Sequence, residues 1–206
     1  MDIKKVKNNL IIKHTLKKGE TYKVSKSKKF ESVYIFKKPQ DAIGIASTTE
    51  DNKEVLFMDY DNCTKALVIK DYEILQKEYM LPPGLLFSTK EEDVHGEKAG
   101  NYHIISLCKM RPNQVYEILS RSHVDAAYTS MALRRTYRNW VLRISPKKHK
   151  TRPKFLGLVG EMKNFGDYEI SNAHLQFLKK IYSIPEIPFT NIDKSTKILI
   201  QEYETY

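Results

Sequence analysis

The chain is expected to be a mixed α/β (α+β) protein, with a mixed β-sheet and flanking helices. Three observations point there. Apolar runs of strand length alternate with stretches whose apolar residues recur at helical spacing. The alternation lacks the strict strand–helix–strand rhythm of a fully parallel sheet. Hydrophobic residues make up 41% and charged residues 29% of the 206, enough apolar side chain for one sizeable core and too much for a disordered chain. We expect a single domain over 1–206, made of an N-terminal part (1–53), a core (54–160) and a C-terminal helix and strand (161–206).

Taken in order, residues 32–36 form a short apolar run of strand type, and 54–59 (EVLFMD) form another. Val68, Tyr72, Leu75 and Tyr79 then stand at i, i+4, i+7 and i+11, one face of a helix. Leu81-Pro82-Pro83-Gly84 ends it, since proline cannot continue a helix. Residues 85–88 are a short strand, and 90–100 a charged loop with two glycines. A strand is expected at 102–107 (YHIISL), then a helix at 112–122 with Pro112 in its first turn. A second helix follows Asp125, over about 126–138. In the next strand, 140–145, Trp140, Leu142 and Ile144 alternate toward the core. Residues 155–159 are a short apolar strand. Ser171 or Asn172 can cap a helix that buries Phe177, Leu178 and Ile181, and 196–200 close the chain as a strand.

Charge narrows the function classes. Lys plus Arg number 35 and Asp plus Glu 25, a net charge of +10, which suits a polyanionic partner. No apolar run approaches the roughly 18–20 residues of a membrane span. Two cysteines, Cys63 and Cys108, do not make a disulfide scaffold. The basic start carries only Leu10–Ile12 as an apolar run, too short for a signal-peptide core of about 7–15 residues. We expect an intracellular protein, cytoplasmic or associated with a replicating genome, and no membrane partner. Basic residues concentrate at 1–38 and again at 134–154. The second stretch interleaves Arg134, Arg135, Arg138, Lys148, Lys150, Arg152 and Lys154 with Tyr137 and Trp140, a mixture suited to nucleic-acid phosphates and bases.

Three segments can carry chemistry. Val55-Leu-Phe-Met-Asp59-Tyr-Asp61 is an apolar strand ending in Asp-x-Asp. Residues two apart share a face of a strand, so both carboxylates would stand side by side. Two unit charges about 4 Å apart repel by about 4 kcal/mol at an effective dielectric near 20. A hard divalent cation, Mg²⁺ or Mn²⁺, removes that conflict; a plain turn after a strand, with Asn62 beside it, is the other reading. Asn101-Tyr102-His103 follows Gly100 on an apolar strand, where His103 can be a core histidine or a phosphate ligand. Val124-Asp125 supplies a third acid, and Arg143-Ile-Ser145-Pro-Lys147 combines a fork donor, a hydroxyl and a point charge, as a triphosphate requires.

In this order the segments resemble the archaeo-eukaryotic primase superfamily, and most closely its primase-polymerase branch. Asp59-Tyr-Asp61 stands where that family has Asp-x-Asp or Asp-x-Glu. Asn101-Tyr-His103 stands where it has Ser-x-His, and Val124-Asp125 where it has an apolar residue and Asp. The resemblance covers about 30–160. It implies an RRM-like catalytic core with a small N-terminal α/β unit. It also implies template-directed nucleotidyl transfer to a 3′-hydroxyl, with Asp59, Asp61 and Asp125 holding two Mg²⁺ or Mn²⁺ ions. Asn101, His103, Arg143, Ser145 and Lys147 would bind the nucleoside triphosphate, with Arg135 or Arg138 as alternatives to Arg143. A single-stranded DNA template would cross the basic segment. The chain has no Cys/His set of four for zinc and no helicase part, so such a function would come from a separate subunit or from a larger chain of which this is the catalytic domain. The rival readings are a non-catalytic single-strand-binding module and a haloacid-dehalogenase-type phosphatase. The latter class also opens on Asp-x-Asp, but its last acidic pair is missing here.

Overall fold

The computed structural model describes residues 10–16, 30–37, 42–89, 99–134, 140–147, 150–163, 165–187 and 197–204. The element order is β1 (Leu10–Leu16), β2 (Phe30–Lys37), β3 (Ile43–Ala46), β4 (Glu54–Cys63), α1 (Lys65–Tyr79), β5 (Gly84–Ser88), β6 (Gly100–Met110), α2 (Pro112–Arg121), α3 (Ala126–Arg134), β7 (Val141–Arg143), β8 (Lys154–Val159), α4 (Asn172–Tyr182) and β9 (Lys197–Glu204). The class is therefore mixed α+β. Instead of the one mixed sheet expected, the strands form two. A five-stranded sheet has the order β1-β9-β2-β3-β7, and a four-stranded sheet the order β4-β6-β5-β8.

The N-terminal part is likewise not a small α/β unit among the described residues: β1, β2 and β3 are all strands. Both β1 and β2 pair in parallel with β9, from the other end of the chain. Such non-local pairing leaves no mark on local periodicity, which is why β9 reads only as a terminal strand in the sequence. Antiparallel β2–β3 and β3–β7 pairs complete this sheet and make it mixed.

The four-stranded sheet is antiparallel throughout. β4 and β5 both run against β6, which lies between them, so α1 connects two parallel strands across an intervening one. This is a split β-α-β arrangement. Thr64 caps α1, its side chain accepting from Leu67 N at 3.3 Å. Val68, Tyr72 and Leu75 are buried as the spacing predicts, and Met80 ends the helix in the left-handed region at φ 54°. Tyr72 sits behind the sheet, where its hydroxyl donates to Pro82 O at 2.5 Å.

The other face of this sheet meets α4. Directly opposed residues share a face, so Asp59, His103, Phe87 and Phe155 form one row across β4, β6, β5 and β8. Phe87 packs on Tyr182 of α4 at 4.8 Å and on Phe155 at 5.5 Å, and Phe57 meets His174 of α4 edge-on at 5.8 Å. Trp140, Leu142 and Ile144 are buried, as their alternation predicts. Expected helix residues 135–138 and loop residues 90–98 lie outside the described residues.

One polar knot ties the two sheets together. Glu54, at the start of β4, is 3% exposed and accepts from the hydroxyls of Ser47 and Thr48, the latter at 2.9 Å. Ser47 also accepts from Trp140 N at 3.0 Å. His174, fully buried, bridges Ala46 O at 2.9 Å and Ser171 Oγ at 2.7 Å. Burial holds its imidazole neutral, with the pKa down to about 4.

Burial pushes the Glu54 carboxyl up to about 7, against the opposing effect of the Ser47 and Thr48 hydroxyls. A folded-state value above the unfolded value of 4.5 adds stability that is fully present below pH 4.5 and is lost as pH rises through 7. The stability of wild type minus that of Glu54→Gln should therefore fall by on the order of 3 kcal/mol between pH 4.5 and 7.5. Urea unfolding across that range measures it; a pH-independent difference would place the Glu54 charge in water.

Candidate active site

The site is built on the end of an edge strand. Asp59 lies opposite His103 in the β4–β6 register, and His103 Nε2 stands 3.3 Å from Asp59 Oδ1. The His103 side chain is 7% exposed and that of Asp59 25%, so the imidazole has a core position with one edge on the acid. The register shifts between Tyr60 and Cys63, and Asn62 adopts φ 57° there. This kink ends regular pairing just beyond Asp61, as bulges at strand ends do. Asp61 is exposed, and its Oδ1 accepts from the Asn101 amide; Asn101 Oδ1 in turn accepts from Asn62 N at 3.3 Å. Asn101 is thus engaged with the second acid, where the sequence suggested a nucleotide contact.

Asp125 reaches the same place from the loop between α2 and α3. Its N–H donates to Asp59 O at 2.9 Å. Its carboxylate accepts from Ala127 N at 3.1 Å, as a helix N-cap does. The three acids share one field. Burial raises the Asp61 pKa first, and Asp59 and Asp125 raise it further, while Lys150 and His103 act the other way. Among the described residues, no three His, Cys, Asp or Glu side chains are gathered into a ready-made metal cage. The donor set is nonetheless of the kind Mg²⁺ accepts: one or two carboxylates, with further ligands from substrate phosphates and water.

Basic groups close the site from the other sheet. Arg143, at the end of β7, donates to three carbonyls: Ser145 O at 2.6 Å, Thr151 O at 2.7 Å and Thr89 O at 3.2 Å. Burial draws its guanidinium below the usual value, and Tyr182 and Asp59 oppose that shift. Arg143 therefore pins the ends of β5 and β7 together beside Asp59. Ser145 is 3% exposed, and its hydroxyl accepts from Ile43 N at 2.7 Å and donates to Pro146 O at 3.0 Å. Its side chain holds sheet to loop, although the sequence pointed to a phosphate contact. Lys147 and Lys150 are exposed and joined by paired backbone bonds of 3.0 and 2.7 Å, which bring Lys150 near Asp61.

The rest of the basic segment divides. Arg152 turns inward: it donates to Ile181 O at the C-terminal end of α4 and lies over the Tyr182 ring at 4.6 Å. The sequence placed it on nucleic acid; in the fold it closes a helix end. Lys154 is exposed on β8, three strands from Asp59, or about 14 Å at ordinary strand spacing. Arg135, Arg138 and Lys148 lie outside the described residues, as does the side chain of Arg134.

Sequence reasoning missed one feature. Asp71, 5% exposed, accepts from Tyr60 OH at 2.8 Å and from His123 N at 3.1 Å, and its Oδ1 lies 2.6 Å from His123 Nδ1. The signal was available, since Asp71 is three residues after Val68, on the apolar face of α1.

Comparison of the chain with protein-family models, with curated proteins and with solved structures gives no match.

The shared field predicts two opposite shifts. Asp59→Asn should lower the Asp61 pKa, because a neighbouring negative charge is removed. Lys150→Ala should raise it, because a positive one is lost. Carboxyl carbon chemical shifts followed against pH report both. Shifts of the same sign in the two variants would contradict the arrangement.

Proposed function

We propose that the chain is a template-directed nucleotidyl transferase of the primase-polymerase kind. The observation that supports it is the convergence of Asp59, Asp61 and Asp125 on one field, faced by His103, Arg143 and Lys150. Two acids at the end of β4 and a third on the adjoining loop repel one another, and a bound cation would relieve that repulsion. Facing basic groups suit a polyanionic substrate rather than a neutral one.

In this reading Asp59, Asp61 and Asp125 hold Mg²⁺ or Mn²⁺. A metal bound there would supply Lewis-acid activation of the attacking 3′-hydroxyl and charge neutralisation for the leaving pyrophosphate. Asn101 fixes Asp61, and the Asp125 backbone bond to Asp59 fixes the third acid. His103 orients Asp59, beside which the triphosphate would lie. Lys147 and Lys150, exposed and paired through their backbones, take the phosphate charge, while Ser145 and Arg152 are engaged with main-chain groups of the fold. Arg143 holds the frame in which these groups meet. A single-stranded DNA template is the expected partner of the remaining basic surface.

Primer extension and de novo synthesis with labelled nucleotides and Mg²⁺ or Mn²⁺ test this directly. Wild type should incorporate label. Asp59→Ala/Asp61→Ala should lose activity by about a thousandfold, the equivalent of several kcal/mol of transition-state stabilisation. Tight single-strand binding without incorporation by wild type would instead identify a non-catalytic binding module.

A further inference from the structure

The acids on β4 face the front of the sheet, yet the group that places the third acid lies behind it. Tyr60 falls between Asp59 and Asp61 and points to the opposite face, where its hydroxyl donates to Asp71 of α1 at 2.8 Å. Asp71 then holds the loop that carries Asp125, through His123 N at 3.1 Å and His123 Nδ1 at 2.6 Å. Two residues further on, Asp125 N donates to Asp59 O at 2.9 Å. The loop is thus tied at alternate residues, once to the back of β4 through α1 and once to β4 itself. Asp71 is buried, and its carboxylate has its bonds satisfied by groups of β4 and of this loop. His123 is 60% exposed, so burying its side chain is not what the bond achieves.

We propose that Asp71 is a positioning residue: with Tyr60 and His123 it sets where Asp125 stands relative to Asp59 and Asp61. The inference rests on the metal-dependent reading above. Asp71 touches neither substrate nor metal; it acts through the main chain of residues 123–125. What matters in this account is the hydrogen-bond pattern, not the charge. An asparagine at 71 preserves the pattern, because its oxygen can accept from Tyr60 and His123 N. Its NH₂ can donate to Nδ1 of the other imidazole tautomer.

Two measurements on Asp71→Ala, Asp71→Asn and His123→Ala test this: amide hydrogen exchange at Asp125 by NMR, and Mn²⁺ binding by calorimetry. Asp71→Ala should speed exchange at Asp125 about tenfold, the loss of one hydrogen bond to a charged group, with the Ile104 and Ile105 amides of β6 unchanged. Its Mn²⁺ affinity should fall by a similar factor. Asp71→Asn should match wild type in both. His123→Ala alters an exposed side chain and leaves the fold intact, so it carries the test if Asp71→Ala does not fold. It should show a several-fold effect in the same directions. Unchanged exchange at Asp125 in the folded variants would overturn the positioning role. Loss of function in Asp71→Asn equal to that in Asp71→Ala would overturn the hydrogen-bond account. If exchange responds as expected but wild type binds no Mn²⁺, the positioning stands and the nucleotidyl-transfer reading fails.

Discussion

The 2.9 Å hydrogen bond from Asp125 N to Asp59 O, which joins the α2–α3 loop to β4, is the interaction around which the site is arranged. Asp59 and Asp61 come from one face of an edge strand, and a backbone hydrogen bond from Asp125 to Asp59 O brings the third acid in. Each acid is then held by a neighbour: Asp59 by His103, Asp61 by Asn101, and Asp125 by the first turn of α3. These contacts orient the carboxylates. The Asp61 pKa is raised first by burial and then by Asp59 and Asp125, while Lys150 and His103 act the other way. A cation or cationic ligand at this place would lower the mutual repulsion of these carboxylates.

The fold supports this group from both sides. Behind the four-stranded sheet, α1 supplies Tyr72 to the core and Asp71 to the loop before α3. In front, α4 packs Tyr182 against Phe87, next to His103 in the same cross-strand row. The five-stranded sheet delivers Arg143 to the same end, and Glu54, Ser47 and His174 lock the two sheets so that Arg143 keeps its place. Arg143 bonds to carbonyls of three segments, and Arg152 closes α4 beneath them. Arg143 and Arg152 therefore belong to the frame, and Lys147, Lys150 and Lys154 are left facing solvent.

What was legible in the sequence was local. The spacing of Val68, Tyr72 and Leu75 marks α1, and the alternation of Trp140, Leu142 and Ile144 marks a buried strand. The Asp-x-Asp at the end of an apolar run marks the end of β4. What was not legible depends on partners far along the chain. β3 has four residues with Gly44 among them, too few to show a period, and it exists because β2 and β7 flank it. Nor was the insertion of β9, from the other end of the chain, between β1 and β2 legible locally. Side-chain roles were hidden for the same reason. Asn101, Ser145 and Arg152 are residue types that bind phosphates, and only the fold shows that Asp61, Ile43 N and Ile181 O already engage them.

The central claim is that the end of β4 is a divalent-cation site formed jointly by residues from β4 and from the α2–α3 loop. Paramagnetic broadening of amide resonances on titration with Mn²⁺ tests it most directly. The account predicts saturable broadening that begins at Asp59, Asp61 and Asp125, reaches His103, and disappears in Asp59→Asn/Asp61→Asn. Broadening spread evenly over the surface acids, or centred elsewhere and unaffected by that double substitution, would contradict it.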